Sequence, residues 1–119
     1  MAIVLQKDMR KADTILGRVF CNGRYYGDFS VDLNGRQTLG SGKYSLHDSL
    51  HGDSYLDVVN RDGNTIATLS HRNSIAKMSI LLGVDGLTFR TQAATYEIIK
   101  ELYEMGENLL VVREPLTMK

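Results

Sequence analysis

The chain has 119 residues, 43% of them hydrophobic and 24% charged, which suits one globular domain and is too apolar for disorder. Its 14 basic and 14 acidic side chains cancel, so the cationic surplus that neutralises phosphates is missing and no nucleic-acid partner is expected. One cysteine cannot close an internal disulfide, and the apolar runs Met78–Gly83 and Leu109–Val112 fall far below the ~20 residues of a membrane span, which argues against a membrane partner.

In chain order, the run Met1-Ala2-Ile3-Val4-Leu5 is followed at once by Lys7, Asp8 and Arg10. A basic stretch leading an apolar one is missing, so no signal peptide is expected. Ile3–Gln6 reads as a brief strand opener and Thr14–Cys21 as a second strand. Asn22-Gly23 supplies two residues that tolerate positive φ, the signature of a tight hairpin. Arg24–Val31 is the returning arm, with Tyr25, Phe29 and Val31 set against Arg24, Asp28 and Ser30, as in a sheet with one wet face. Gly35, Gly40 and Gly42 mark a loop before a short strand at Lys43–Leu46, and the polar stretch His47–Ser54 reads as a surface excursion. Tyr55–Val59 and Thr65–Leu69 form a second hairpin around Asn60-Arg61-Asp62-Gly63-Asn64, residues that accept left-handed backbone. Met78–Leu82, apolar on both faces, reads as a central strand.

One segment has helical periodicity. Thr91 is the expected N-cap of a helix over 92–105, with an apolar stripe of Ala94, Ile98, Leu102 and Met105. Gly106 is placed to end it with a left-handed cap, and Leu109–Val112 follows as a last strand. No βαβ rhythm is present, which argues against a doubly wound sheet. The predicted fold is α+β, mainly β: an antiparallel sheet or partial barrel of about seven short strands, one C-terminal helix and a final strand, all in a single domain over 1–119.

Several local patterns carry chemistry. Asn60–Asn64 has the alternating oxygen donors of a calcium loop, but Thr65 stands where that loop needs Gly and His71 where it needs a bidentate Glu, so a hairpin turn is the better reading. His47, Asp48, His51 and Asp53 crowd one polar stretch; two imidazoles four apart bind zinc from a helix, yet Gly52 and the serines at 45, 49 and 54 oppose a helix, and solvated side chains are expected. Neither a metal nor any other cofactor is assigned. Cys21 has no local base to activate it and reads as an inert, partly buried thiol. Arg24, Tyr25 and Tyr26 are residue types enriched at interfaces, although cross-strand packing accounts for tyrosines on a wet face equally well. His71 ends one strand and Ser79 starts another, so they form a minimal base and nucleophile pair if the fold brings them together.

Four short pieces, taken together, resemble a family. Thr14-Ile15-Leu16-Gly17-Arg18-Val19, Gly42-Lys43-Tyr44, His71-Arg72-Asn73 and Met78-Ser79-Ile80-Leu81-Leu82-Gly83 match in order and approximate spacing a small uncharacterised domain of phages and bacteria. That domain shows a Thr-x-Gly-x-Leu strand, a Gly-x-Tyr strand, a His-x-Gly-Asn segment and a Gly-Cys-Ile segment leading into another Gly. The resemblance covers about residues 3–112. The family's His and Gly-Cys segments are in turn similar to the His and Ser-x-Gly-Cys arrangement of L,D-transpeptidases, whose thiolate attacks peptidoglycan stem peptides. By that resemblance His71 is the base and position 79 the nucleophile.

This chain departs from the pattern with Ser79 for Cys, Met78 for Gly and Arg72 for Gly. A serine needs a firmly held base and an oxyanion hole where a thiol needs only modest help to ionise. Arg72 beside His71 opposes the imidazolium formed in proton transfer. The expectation is therefore a non-catalytic scaffold. It is read as a phage-type accessory or virion-associated module binding a protein partner or a second copy, with Arg24, Tyr25, Tyr26, Arg72 and Asn73 as its binding residues. Its place is the host cytoplasm or the virion. The alternative is a hydrolase or transpeptidase acting on peptidoglycan through Ser79 and His71.

Overall fold

A computed structural model describes residues 3–33, 39–72, 78–82 and 93–115. Eight strands and one helix follow each other in the order β1 (Ile3–Lys11), β2 (Thr14–Cys21), β3 (Arg24–Asp32), β4 (Gly42–Asp48), β5 (Tyr55–Val59), β6 (Thr65–Ser70), β7 (Ser79–Leu82), α1 (Ala93–Glu104) and β8 (Leu109–Arg113). The strands close into a barrel in the order β1-β2-β3-β7-β6-β5-β4-β8. The chain is thus mainly β with one helix, and the sheet goes beyond a partial barrel to full closure. It is also mixed, because β1 runs parallel to β8 and β6 parallel to β7. Closure gives every strand a partner on both sides, while Lys7–Lys11 of β1 and Arg24–Asp28 of β3 run beyond β8 and β7.

Two meanders build the wall. β1-β2-β3 turns at Ala12-Asp13 and at Asn22-Gly23, where Asn22 (φ 56°) and Gly23 (φ 78°) supply the two positive φ angles of a tight turn. β4-β5-β6 turns at Asn60–Asn64; there the Asn60 side-chain oxygen accepts from the backbone N–H of Asp62 (3.0 Å) and Asn64 (2.9 Å), so the suspected calcium donor closes a turn. β7 then fills the gap between β3 and β6, and β8 the gap between β1 and β4.

Alternation carries Leu5, Val19, Phe29, Val31, Leu56, Val58, Leu69, Ile80, Leu82 and Leu110 into the barrel interior, each fully buried. The first strand runs five residues past the expected opener. A bulge between Lys7 and Met9 lets the charged residues extend the pairing. Lys7 shares the inward parity of Ile3 and Leu5, so its stem fills the barrel mouth, and its ammonium reaches the Leu39 carbonyl (2.7 Å) and Glu114 (2.8 Å).

α1 closes the opposite mouth. Thr95, Tyr96 and Ile99 are its buried residues, whereas Ala94 is exposed and Met105 is 75% exposed. Of the expected stripe, Ile98 and Leu102 pack against the core while Ala94 and Met105 do not, so the helix is rotated toward Thr95, Tyr96 and Ile99. Thr95 and Tyr96 turn inward because the mouth offers them carbonyl partners: Thr95 Oγ1 donates to Tyr26 (2.9 Å) and the Tyr96 hydroxyl to Asp53 (2.9 Å). Gly27 makes the room, since a Cβ there would sit 2.5 Å from Thr95 Oγ1. Gly106 (φ 98°) ends α1 as expected, with the Glu107 N–H on the Leu102 carbonyl and the Gly106 N–H on Tyr103. The proposed N-cap Thr91 lies outside the described residues.

Candidate functional site: a groove at the capped mouth and an apolar outer face

β4 runs two residues further than expected and delivers Asp48 to the mouth that α1 covers. The loop after it adds Asp53 and Ser54, and the bend after β6 adds His71. With Tyr96, Glu97, Lys100, Glu101, Tyr103 and Glu104 of α1, these residues line an open groove of about 670 Å³. Five carboxylates face one ammonium in that lining. Lys100 lies 3.8 Å from Asp48 and 5.5 Å from the centre of the Tyr103 ring. The groove is therefore electronegative, with aromatic walls.

Ser70 sets the position of His71. Its hydroxyl donates to the Ser54 carbonyl and accepts the Arg72 N–H (3.0 Å), which ties the bend to the β4–β5 loop. The His71 ring is half-buried and packs on Tyr96 with centroids 5.4 Å apart. Its Nε2 accepts a long bond from Arg72 Nε (3.4 Å), and its Nδ1 is buried with no hydrogen-bond partner. Burial pushes the Tyr96 phenol up to about 12, so it stays a neutral donor across the physiological range.

Ser79 lies elsewhere. It opens β7 opposite Thr68, while the last rung, Ser70 opposite Leu81, is the one nearest His71. The two rungs are two residues apart, about 6.6 Å at ~3.3 Å per residue, and His71 lies one residue further still, beyond the end of β6. The faces differ too, since Ser79 lies in register with Thr68 and Asp32, one residue off the buried Leu69–Ile80–Val31 row. Ser79 is only 9% exposed and its Oγ has no hydrogen-bond partner. The fold thus keeps His71 and Ser79 apart. The imidazole sharing Ser79's register is that of His47, reached through Thr68 and Asp57. At ~4.8 Å between strands that is about 14 Å away, beyond proton-transfer reach.

The other candidates fall as follows. Arg72 is exposed beside His71, and Asn73 lies outside the described residues. Cys21 is buried at the end of β2, where burial raises its thiol to about 11. His47 and Asp48 belong to β4, not to a loop; His47 Nε2 is 3.0 Å from Ser45 Oγ, and His51 packs on Tyr55. Among the described residues no cluster of three or more His, Cys, Asp or Glu side chains could hold a metal ion. No helix among them is long and apolar enough to cross a membrane.

Arg24, Tyr25 and Tyr26 open β3. Tyr25 faces out, 52% exposed, pairs with Phe20 across the hairpin and donates to Asp28 (2.6 Å). Tyr26 packs against the core and offers its carbonyl to α1. Tyr25 belongs to a wider surface. On the outside of β8, β1, β2 and β3 a row of Val111, Val4, Phe20 and Tyr25 runs across four strands. The guanidiniums of Arg18 and Arg113 lie 5.6 and 5.3 Å from the Phe20 centre.

Sequence reasoning missed the groove because its acids come from a strand end, a loop and a helix far apart in the chain. It missed the outer face despite a readable sign: Ile15, Leu16, Val19 and Phe20 put apolar residues on both faces of one strand. Compared with known proteins, the chain matches no family model, no curated protein and no solved structure.

Proposed function

We propose that this chain is a non-catalytic binding module of the phage-accessory or virion-associated kind, and that the groove at its capped mouth receives a basic segment of a partner protein. The observation carrying this reading is the groove lining: five carboxylates and the rings of His71, Tyr96 and Tyr103 around a single lysine. A Lys or Arg side chain entering it gains charge pairing and cation–π contact at once. The resemblance of the Thr14–Val19 and His71–Asn73 segments to the phage domain supports the kind of protein. The separation of His71 from Ser79 weighs against the peptidoglycan-acting alternative, because a serine without a base within hydrogen-bond reach is a poor nucleophile.

Calorimetric titration with an Arg- and Lys-rich peptide tests the groove. Binding that weakens with salt and is lost in Glu101→Lys is the expected result. Equal affinity for an acidic peptide of the same length overturns it. The alternative is tested by incubating peptidoglycan fragments with the native chain, Ser79→Ala and His71→Ala. Turnover by the native chain that both substitutions abolish would replace the binding reading with an enzymatic one.

A further inference from the structure

A closed barrel surrounded by water should be polar outside, since its apolar residues already have an interior to fill. The outer wall of β4 follows that rule, with Lys43, Ser45 and His47 facing out, and β5 adds Asp57 beside Val59. The outer wall of β8, β1, β2 and β3 breaks it. One outward row is Val111, Val4, Phe20 and Tyr25; another is Met9, Leu16 and Ser30. Met9 is 56% exposed and Tyr25 52%. Between these rows lies a polar one: Arg113, Gln6, Arg18 and Asp28, one residue from each strand in order.

We propose that this face docks a second copy of the same chain, the two copies related by a two-fold axis that runs along the strands between β1 and β2. Charge order argues for that occupant. Along the polar row Arg113 and Arg18 are positive and Asp28 negative, and Asp8 at the β1 bulge adds a second negative charge that holds Arg18 at 2.8 Å. Rotation about such an axis lays the row against its own reverse, so Arg113 of one copy meets Asp28 of the other, and the Arg18–Asp8 pairs of the two copies face each other across the axis above the buried Gln6. The same operation sets Val111 against Tyr25 and Val4 against Phe20, a small residue opposite a ring in each case. An isologous contact needs that self-complementarity. Arg113 makes no salt bridge among the described residues, although, after the Arg18 hydrogen bond, its charge helps lower the Asp8 carboxyl; its Nε donates to Gln6 (3.1 Å).

The patch is four strands wide and three outward rows deep, about 400 Å² from ~4.8 Å between strands and ~3.3 Å per residue, below the about 800 Å² per partner of a standard stable interface. The dimer is therefore reversible and concentration-dependent. It uses residues outside the groove and stands independently of the groove reading, so loss of one function leaves the other measurable.

Sedimentation equilibrium of the full chain from about 1 to 500 μM at low salt tests the proposal. Monomer–dimer equilibrium is expected, with Arg113→Asp and Asp28→Arg each weakening dimerisation about tenfold and the double swap restoring it. Far-UV circular dichroism and melting curves confirm that each variant is folded. A Tyr25→Ser variant, which removes the exposed ring and leaves the charges, is expected to weaken the dimer as well. A native chain that stays monomeric throughout overturns the proposal. So do a dimer that the single swaps leave unchanged and a double swap that fails to restore pairing.

Discussion

At Gly17 the barrel wall has no space for a methyl group. A Cβ there would sit 2.0 Å from the Gln6 carbonyl oxygen and 2.6 Å from the Phe29 ring, which lies over the glycine as its cross-strand partner. Gly17→Ala is expected to cost more than about 2 kcal/mol, read as a lower urea midpoint, because a strand backbone cannot give way as a flexible side chain can. Ala12 presents the opposite case. It holds φ 53° in the β1–β2 turn, a left-handed conformation that costs a residue with a Cβ about 1 kcal/mol. Ala12→Gly should therefore stabilise the fold by about 0.5 kcal/mol, after Gly's own entropy cost, and raise the melting temperature. The Cys21 thiol, raised to about 11 by burial, should react with a disulfide reagent at pH 8 at least about a hundredfold more slowly in the native chain than in urea.

Among the elements, the hairpins and the helix were legible to different degrees. Asn22-Gly23 and Asn60–Asn64 were readable because a turn is set by the residues within it. The rotation of α1 was not, because the helix chooses its buried face by what the barrel mouth offers. An apolar count favours Ala94 and Met105, but carbonyls at Tyr26 and Asp53 reward Thr95 and Tyr96. Tyr96→Phe removes one of those bonds and is expected to cost about 1 kcal/mol at neutral pH. It also reports on alkaline stability. The phenol is raised from its ordinary value to about 12 in the fold, so its contribution is complete below the ordinary tyrosine value and is lost as pH climbs toward 12. Stability curves between pH 9 and 12 should fall less steeply for Tyr96→Phe than for the native chain. Equal slopes would mean that Tyr96 is not the group responsible.

For the whole molecule, closure is the organising event. The two meanders alone leave β1, β3, β4 and β6 each with an unpaired side. β7 and β8, late in the chain, fill both gaps and contribute the two parallel pairings. Ion pairs then tie parts of the wall together. Lys7 reaches Glu114, which also accepts from Ser41, and Arg18 holds Asp8. The Arg18 hydrogen bonds keep the Asp8 carboxyl below its ordinary range, and those from Lys7 and then Ser41 do the same for Glu114. Both groups are depressed acids, so their stabilisation is present above the ordinary carboxylate range and is lost as pH falls through their lowered values. Denaturation between pH 5 and 2 should therefore show declining stability. Asp8→Asn is expected to flatten part of that slope, by a small amount because the pair is exposed.

The sequence alone determined the mainly β class, the hairpin positions, one C-terminal helix and its glycine stop, since each rests on alternation, turn chemistry or a positive φ encoded within a few neighbouring residues. Tertiary structure decided the rest. Register put Ser79 beside Thr68 instead of His71, and closure gave every strand a partner on both sides. The capped mouth gathered acids from β4, its loop and α1 into one groove. These are consequences of contacts between distant segments, and no local pattern of residues contains the register that produces them.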